Sequence, residues 1–565
     1  DITSPGSIGS GGAGANWASI VGGDGGGLVI LAATGTVTIS GTVTADGAVG
    51  LVNSSYQGGG GAGGALKVTG SSIVFSGSIT ATGGNAGGAN GGAGGGGCVY
   101  LAYSSSYNST GSSNSVIAGT TGGVGGVGTF TTAQTNQAPT LTINSVAQKT
   151  AGTGTVDLSV TADDADDNNT LKAKVEYKAG ADCSSGTSDP TLDETDANTT
   201  STYGDPKVEN DDEYHVGNAS GWITTSSGAN TVLFDWLAET DVPTANGTYC
   251  VKITPHDGTS AGTAQTTTLT LDNVNPTSAG NLTLNAIAAD SLTFTLGVAG
   301  SDTNINQYKV YYKAGASGVL EGGTLHTTVA TGAYVGGGTT QISTLSVNTQ
   351  YVANIWTYDS YGNKSNATEI AKYTAANVPS APTVDGATVS SLNVTINQNS
   401  NPSTTTYAIK TGSQYVQADG TLGVSAVWQT AVVWGTVSGV TGKISVTGLS
   451  VNTQYPFVAI AKNGDGTATA DSSSASLYTL ANSASGLSAS TVVRTGTTVS
   501  WSANGNPAGT VYNVTGVSGG TATSGDITGT SWSDGSASSE NTYYCYSVTA
   551  KNGDSVAATA VSISG

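Results

Sequence analysis

The stretch that decides the fold of the N-terminal part reads GGALKVTGSSIVFSGSITATG over residues 63–83. Short runs of β-branched and apolar residues, such as Ile73 to Phe75, stand between glycine runs and small polar residues. Alternation over such short runs predicts β-strands that send every second side chain into a core. No sustained 3.6-residue apolar period occurs along the chain, so the sequence predicts an all-β fold.

A second segment repeats this unit. Residues 25–47 read GGGLVILAATGTVTISGTVTADG, and the related cores that start at Ser40 and Ser76 lie 36 positions apart. A weaker third copy starts at Gly94. Repeats that cannot bury an apolar face alone stack into a solenoid, and glycine lets neighbouring backbones approach closely. A flexible glycine-rich linker is the alternative, but linkers lack regularly spaced strands. We predict a β-solenoid-like domain over residues 1–135, which resembles glycine-rich regions of large bacterial surface proteins.

Composition limits the partners of this chain. Its 565 residues carry a net charge of −21, and only 9% of them are charged. A nucleic-acid partner requires a basic surface, and an anionic membrane is disfavoured for the same reason. Sparse charge suits association with further copies, because few charges lose their hydration. The chain has no stretch of 18 apolar residues, so the sequence predicts no membrane-spanning helix. The chain contains no Met and starts at Asp1, which we interpret as a processed or trimmed product from which any signal peptide has already been removed.

Residues 136–275 form the acidic part of the chain. They contain VDLSVTADDADDNNTLKAKVEY and close with TLDNVNPT, and they resemble bacterial immunoglobulin-like or cadherin-like surface domains. The resemblance implies a β-sandwich, within which residues 181–225 read as a long polar insertion. Cys183 and Cys250 fall in this one domain, and an exported protein favours a disulfide between them. Cys98 and Cys545 lie in different domains, where they are either buried thiols or an inter-subunit pair.

The C-terminal half contains a longer repeat. LSVNTQY at residues 345–351 recurs at residues 449–455, 104 positions later, and a degenerate copy ends at Tyr544. The leucine, the Asn-Thr pair and the tyrosine resemble a corner of fibronectin type III domains, whose tyrosine hydroxyl bonds back to the backbone. Trp501 stands where that family has its core tryptophan, and Phe294 and Val394 or Ile396 replace it in the other copies. We predict three modules, over residues 276–376, 377–480 and 481–565.

The acidic domain also provides the candidate metal ligands. Ca²⁺ takes six to eight oxygen ligands, which clustered Asp and Asn side chains in a turn can supply. The candidates are Asp163, Asp164, Asp166 and Asp167 in the acidic turn and Asp272 at the domain end. The alternative is a solvated turn in which Asp and Asn favour the loop conformation. We predict that the chain requires no cofactor, and calcium is the only candidate ion that the sequence suggests.

Signals of catalysis are weak. Three histidines lie far apart, at positions 215, 256 and 326. Residues 258–262 match G-x-S-x-G, but strand-like sequence on both sides predicts a hairpin turn instead of a nucleophile elbow. A glycosidase pair of carboxylates needs a cleft, which a string of small sandwiches rarely provides. We therefore predict that the chain is not an enzyme.

Surface features remain open to two interpretations. Trp428, Trp434 and Trp532 either belong to cores or stack on sugars or subunits. Candidate glycosylation sequons occur at Asn53, Asn198, Asn246, Asn366 and Asn513.

These observations predict an extracellular or cell-surface structural protein. It associates with copies of itself into a filament, sheath or surface layer, through a head whose open ends expose strand edges. The alternative is an adhesin stalk that binds a host protein or a glycan. A third interpretation makes the domains non-catalytic appendages of a secreted polysaccharide-degrading enzyme.

Overall fold

The structure is a computed structural model of the chain. It describes residues 9–14, 20–166, 170–195, 197–200, 204–217, 221–225, 228–490, 496–519, 522–537 and 542–564. The chain divides into two compact units, one of Asp1–Val274 with Tyr361–Asn363 and one of Asn275–Ser360 with Lys364–Gly565. Strands dominate both units, which confirms the predicted all-β class.

Residues 9–134, which we call the head, form parallel sheets. The strands are β1 (Leu28–Ala32), β2 (Thr36–Ile39), β3 (Thr42–Thr44), β4 (Ala65–Phe75), β5 (Ser78–Thr80), β6 (Cys98–Asn108), β7 (Ser113–Ser115) and β8 (Thr129–Gln134). One sheet has the order β1-β4-β6-β8 with β2 beside β4, and the other has the order β3-β5-β7. Val37 pairs with Ile73 and Thr42 pairs with Ser78, each 36 positions later, so the sequence repeat is one coil of the stack.

Alternating apolar residues fill the core of the head. In β4 the side chains of Leu66 and Val68, and then of Ile73 and Phe75, are fully buried. Each pair is two residues apart, as expected for strand side chains that share one face. The core sequence of each repeat therefore supplies the same inward-facing positions to successive coils.

The glycine runs between these strands have a second kind of order. Successive backbone amides of residues 60–64 donate to three different neighbours in turn. The bonds run from Gly60 to Gly92 O, Gly61 to Ala48 O, Ala62 to Ser10 O, Gly63 to Gly95 O and Gly64 to Ala45 O, at 2.7–3.0 Å. A period of three with no internal bonds is that of the polyproline II helix. The glycine runs thus form a bundle of extended helices beside the sheets.

Close packing of this bundle requires glycine. A Cβ added at Gly61 would lie 2.0 Å from the carbonyl oxygen of Asp24, and one at Gly60 would lie 1.9 Å from that of Gly84. Both contacts are with backbone, which cannot rotate away as a side chain can. Neighbouring segments are therefore in direct backbone contact.

The domain that follows is an antiparallel sandwich. Its elements are β9 (Thr140–Gln148), β10 (Thr155–Asp163), β11 (Lys172–Ala179), β12 (Asn198–Thr199), β13 (Asn230–Leu237), α1 (Ala238–Asp241), β14 (Asn246–His256) and β15 (Gln265–Asp272). Its sheets have the orders β12-β13-β10-β9 and β11-β14-β15. The segment 181–225 is more than a polar insertion, because Leu192, Val208 and Val216 from it are buried in the core. Their spacing is irregular, which concealed them in a polar sequence.

The second unit contains three further sandwiches. The first module has β16 (Thr283–Ile287), β17 (Leu292–Thr295), β18 (Ile305–Ala314), β19 (Thr324–Ala330), a 3₁₀ turn (Thr331–Ala333), β20 (Thr339–Ile342), β21 (Gln350–Asp359), β22 (Lys364–Asn366) and β23 (Ile370–Tyr373). The second has β24 (Ser380–Asp385), β25 (Ser391–Asn397), β26 (Thr406–Thr411), β27 (Gln414–Val416), β28 (Leu422–Gly423), β29 (Gln429–Thr430), α2 (Ala431–Trp434), β30 (Thr436–Val437), β31 (Val440–Thr441), β32 (Lys443–Thr447), β33 (Gln454–Lys462) and β34 (Ala475–Tyr478). The third has β35 (Ser485–Ala489), β36 (Thr497–Ser502), β37 (Val511–Ser518), β38 (Thr523–Ile527), β39 (Ser531–Asp534), β40 (Cys545–Lys551) and β41 (Val561–Ser564).

Each module pairs a three-stranded sheet with a larger one. In the third module these have the orders β35-β36-β39 and β38-β37-β40-β41, an antiparallel arrangement like that of fibronectin type III domains. The predicted tyrosine corners are present, because the hydroxyl oxygens of Tyr351 and Tyr455 accept bonds from the amides of Ser346 and Ser450, at 3.0 and 2.9 Å. Trp501 lies in the core of its module, as predicted.

Candidate functional site

The predicted acidic site lies where β10 ends. Asp163 is the last residue of β10, and Asp164 after it is only 1% exposed. One carboxylate oxygen of Asp164, Oδ1, accepts a bond from the amide of Asp166 at 3.1 Å. The other, Oδ2, is buried and has no hydrogen-bond partner among the residues that the structure describes. Asp167 lies outside the described residues.

Polar groups from two other segments meet this turn. The carboxylate of Asp166 accepts bonds from Gln134 Nε2, at 2.9 Å, and from the backbone amide of Gln137. Asp257, in the turn after β14, accepts a bond from Asn136 Nδ2 at 2.7 Å. The segment that connects the head to the sandwich is therefore held by carboxylates on two loops, which sequence reasoning did not bring together because Asp257 is remote along the chain.

The turn is electrostatically unfavourable for one of its own members. Burial raises the pKa of Asp164, and the nearby charges of Asp166, Asp257 and Asp163 raise it further. Burial also acts to raise the pKa of Asp257, but bonds from the Ser260 amide, from Asn136 and from the Thr259 amide outweigh it and leave that pKa low. The ionised form of Asp257 is thus stabilised, whereas the ionised form of Asp164 is destabilised.

This arrangement is a partial fit to a calcium site. Ca²⁺ coordinates oxygen, and an orphan carboxylate oxygen among other carboxylates attracts a cation. Across the described residues, however, no group of three or more His, Cys, Asp or Glu side chains is placed to hold a metal ion. Asp166 and Asp257 already accept bonds from the connecting segment. Calcium at this turn stays a prediction.

Asp272 lies in a different place. It is the last residue of β15 and fully buried, and its backbone amide and carbonyl both bond to the side chain of Gln148, at 2.7 Å each. Gln148 ends β9, whereas Thr140 at the start of β9 pairs with Asp163. The two predicted acidic sites are therefore at opposite ends of one strand. The Asp272 carboxylate caps its own turn, accepting a bond from the Val274 amide at 3.1 Å.

The cysteines form one covalent link. Cys183 and Cys250 are joined in a disulfide with Cα atoms 5.7 Å apart, which ties the segment after β11 to β14. Cys98, in β6, and Cys545, in β40, are free thiols and partly exposed. The Cys98 sulfur accepts a bond from Thr129 Oγ1 at 3.3 Å.

The other predicted surface residues vary in accessibility. The sequon residues Asn53, Asn198, Asn246 and Asn366 are exposed, whereas Asn513 is partly buried. Trp434 is buried and donates from Nε1 to the carbonyl of Tyr407 at 2.8 Å, and Trp532 packs against the core of its module. Trp428 is partly exposed, with Lys462 Nζ 4.4 Å from its ring centroid.

The G-x-S-x-G segment is a turn. Residues 258–262 connect β14 to the segment before β15, and the carboxylate of Asp257 accepts the amides of Thr259 and Ser260, at 2.6 Å each. A nucleophile elbow leads from a strand into a helix, whereas strands lie on both sides of this turn. The predicted hairpin geometry is therefore present.

A polar clamp, which sequence reasoning missed, recurs at two junctions in the second unit. Asn348 donates to Thr405 and accepts from the Gly464 amide, and Asn452 donates to Thr510 and accepts from the Gly553 amide, all at 2.7–2.9 Å. Both asparagines have a left-handed backbone, with φ of 42° and 44°. The signal was present, since the asparagines belong to the repeated LSVNTQY and the glycines to the repeated KNGD. What the sequence does not show is that one motif meets the other in the next module.

The head presents an apolar groove at its first coil. A groove of about 610 Å³ is lined by residues 30–33 and 36–43, which belong to or flank β1, β2 and β3. Among the described strands β1 pairs with β4 alone, so its other edge is unpaired. Ile30 in this strand is 57% exposed.

Comparisons with known proteins give little further information. No protein-family model matches the chain, and no curated protein matches it. Among solved structures, the chain is similar to the FN1–FN3 domains of chicken CNTN1, with 16% identity over 51% of this chain and 98% of that chain, and a TM-score of 0.19. At that TM-score the fold assignment rests on the sheet topology described above. A search of the described helices finds none that is long and apolar enough to span a membrane.

Proposed function

We propose that the chain is a structural subunit that associates with further copies into an extracellular filament, sheath or surface layer. The observation that carries this proposal is the open first coil of the head. Among the described strands, the parallel stack of coils ends there in an unpaired edge beside an apolar groove.

An unpaired strand edge is a template for further pairing. Natural sheets commonly protect such an edge with lysine, proline or a covering loop, but β1 reads Leu-Val-Ile-Leu-Ala. The opposite end of the stack offers β8, which pairs only with β6 among the described strands. Contact between the first coil of one copy and the last coil of another is heterologous, and such a contact extends into an open assembly unless it closes into a ring.

The charge distribution favours such an association. Between residues 9 and 130 the charged residues are Asp24, Asp46 and Lys67. The Asp46 carboxylate already accepts bonds from Thr44 Oγ1, at 2.6 Å, and from the Thr82 amide, at 2.6 Å. Few charges would therefore be desolvated when two heads meet.

The modules suit a spacer, which is consistent with the alternative of an adhesin stalk. The clamp repeats at both described junctions, so it restricts the orientation of consecutive modules in the same way each time. A stalk would carry a ligand-binding end and would stay monomeric, whereas a filament subunit polymerises alone. The disulfide between Cys183 and Cys250 favours an oxidising, extracellular location for either function.

Negative-stain electron microscopy and sedimentation velocity of the full chain test the proposal. We expect regular assemblies from the unmodified chain and isolated particles from the Ile30→Lys variant, because a lysine at the edge opposes pairing. Val298→Lys is the matched control, since Val298 is exposed in the second unit. Isolated particles at high concentration, together with binding to an immobilised glycan or host protein, would replace the filament with the adhesin.

A further inference from the structure

A second groove in the head is lined almost entirely by backbone. It has a volume of about 460 Å³, and residues 10–14, 59–60 and 90–95 provide most of its walls. An added Cβ at Gly59 would lie 3.3 Å from both Ala13 N and Gly92 O, so Gly59 faces the space between two of these walls. The groove contains no charged side chain and little apolar surface.

The adjacent groove of the same bundle is already filled by this chain. Residues 9–13 lie between segments 22–27 and 58–64. The four bonds that hold them run from Gly9 N to Gly26 O, Gly12 N to Gly23 O, Ala62 N to Ser10 O and Gly59 N to Ala13 O, at 2.6–2.9 Å. The filled groove therefore offers two carbonyls from one wall and two amides from the other.

The groove of about 460 Å³, which we call the empty groove, lies one coil further along the stack and offers an equivalent set of two carbonyls and two amides. Strand pairing places Leu28 beside Ala65 and Ala65 beside Cys98, so the counterparts of the carbonyls of Gly23 and Gly26 are those of Gly60 and Gly63. By the same register, the counterparts of the amides of Gly59 and Ala62 are those of Gly92 and Gly95. Within the described part of the chain these two carbonyls and two amides have no hydrogen-bond partner.

From this equivalence we propose that the empty groove binds an extended glycine-rich peptide of a partner chain, running as residues 9–13 do. The occupant needs glycine at every third position, because an added Cβ at Gly9 or Gly12 would lie 2.2 or 2.0 Å from a backbone carbonyl oxygen. The site thus extends the proposed function from self-association to recognition of a second glycine-rich chain.

The probe is a capped synthetic peptide with the sequence of residues 9–14, Gly-Ser-Gly-Gly-Ala-Gly, titrated into the full chain and followed by NMR or fluorescence anisotropy. We expect binding to the unmodified protein and at least tenfold weaker binding to Gly92→Val, which places a side chain in the groove. An added Cβ at Gly92 meets nothing within 4 Å, so this variant retains the fold. Gly126→Val is the matched control, because Gly126 is equally unobstructed and does not line the groove.

A second peptide with alanine in place of its first and fourth residues controls for sequence, and we expect no binding of it. The proposal is wrong if the unmodified protein fails to bind the glycine peptide at millimolar concentration, or if Gly92→Val binds it equally well. Self-assembly is measured separately by sedimentation. Assembly without peptide binding would therefore contradict only the groove, and peptide binding without assembly would contradict only the filament.

Discussion

The head and the modules solve the same packing problem with different parts of the chain. In the modules, side chains such as Phe457 and Trp501 fill the space between two sheets. In the glycine bundle of the head, backbone contacts backbone directly, as at Gly61 and Asp24. Side chains can change rotamer, so a core of side chains can relax around a substitution. A hydrogen-bonded backbone carbonyl cannot move aside in this way. We therefore expect the head to be far less tolerant of small substitutions than the modules.

The largest effect should come from one added carbon atom in the bundle. Gly61→Ala would place a Cβ 2.0 Å from the Asp24 carbonyl oxygen, and we expect the head to lose about 3 kcal/mol or more. Gly41→Ala is the control, because nothing lies within 4 Å of its added Cβ. Amide hydrogen exchange of residues 45–64 distinguishes them. Equal protection in both variants would contradict the claim that the bundle requires glycine.

The clamp should give the next largest effect. Asn452→Ala removes the bonds to Thr510 and from the Gly553 amide, and we expect a loss of about 2 kcal/mol from these two hydrogen bonds, one of which is partly buried and the other exposed. Asn452→Gly is the control, because glycine keeps the left-handed backbone and loses only the side-chain bonds. The measurement is hydrogen exchange at the Gly553 amide. If that amide stays protected in both variants, the clamp does not hold the junction.

A substitution in a module that removes more atoms than Gly61→Ala adds should still cost less stability than Gly61→Ala or the clamp variant. Phe457→Leu alters a fully buried ring in the second module, and we expect a loss of about 1.5 kcal/mol because the surrounding side chains can adjust. Thermal unfolding of the full chain, read from a probe in this module, provides the measurement. A loss greater than that of Gly61→Ala would reverse the comparison between head and modules.

Asp164 should give the smallest effect, and its sign depends on calcium. The pKa of Asp164 is raised in the folded state. The wild-type protein therefore loses stability as the pH rises above about 3.9, the pKa of this carboxyl group in the unfolded chain. In the presence of chelator we expect Asp164→Asn to be more stable than wild type at pH 7, by about 1 kcal/mol, and no different at pH 3. Added Ca²⁺ should stabilise wild type alone. Equal calcium responses in both proteins would remove Asp164 from any cation site.

Much of the fold could be predicted because strands leave a side-chain pattern. The 36-residue spacing of Ser40 and Ser76 corresponds to the register in which Val37 pairs with Ile73. The Leu-to-Tyr motif likewise predicted the corner at Tyr351. The threefold order of the glycine bundle was not predictable in this way, because consecutive glycines look identical whichever neighbour each one faces.

The candidate site was predictable only in part, for a related reason. The acidic turn is one local run, so its aspartates were identified together. Its contacts with Gln134, Asn136 and Asp257 depend on how distant loops meet, which no local pattern records. The same limit applies to the clamp, whose two halves are separate motifs in consecutive modules.

The disulfide has a mechanical consequence. Cys183 and Cys250 are 67 positions apart, so a force that pulls on both ends of the chain bypasses everything between them. At about 3.4 Å per extended residue, roughly 230 Å of chain is withheld from stretching while the bond is intact. Reduction would release that length within a single domain. A fibre built from such subunits would therefore be stiff in an oxidising medium and extensible in a reducing one.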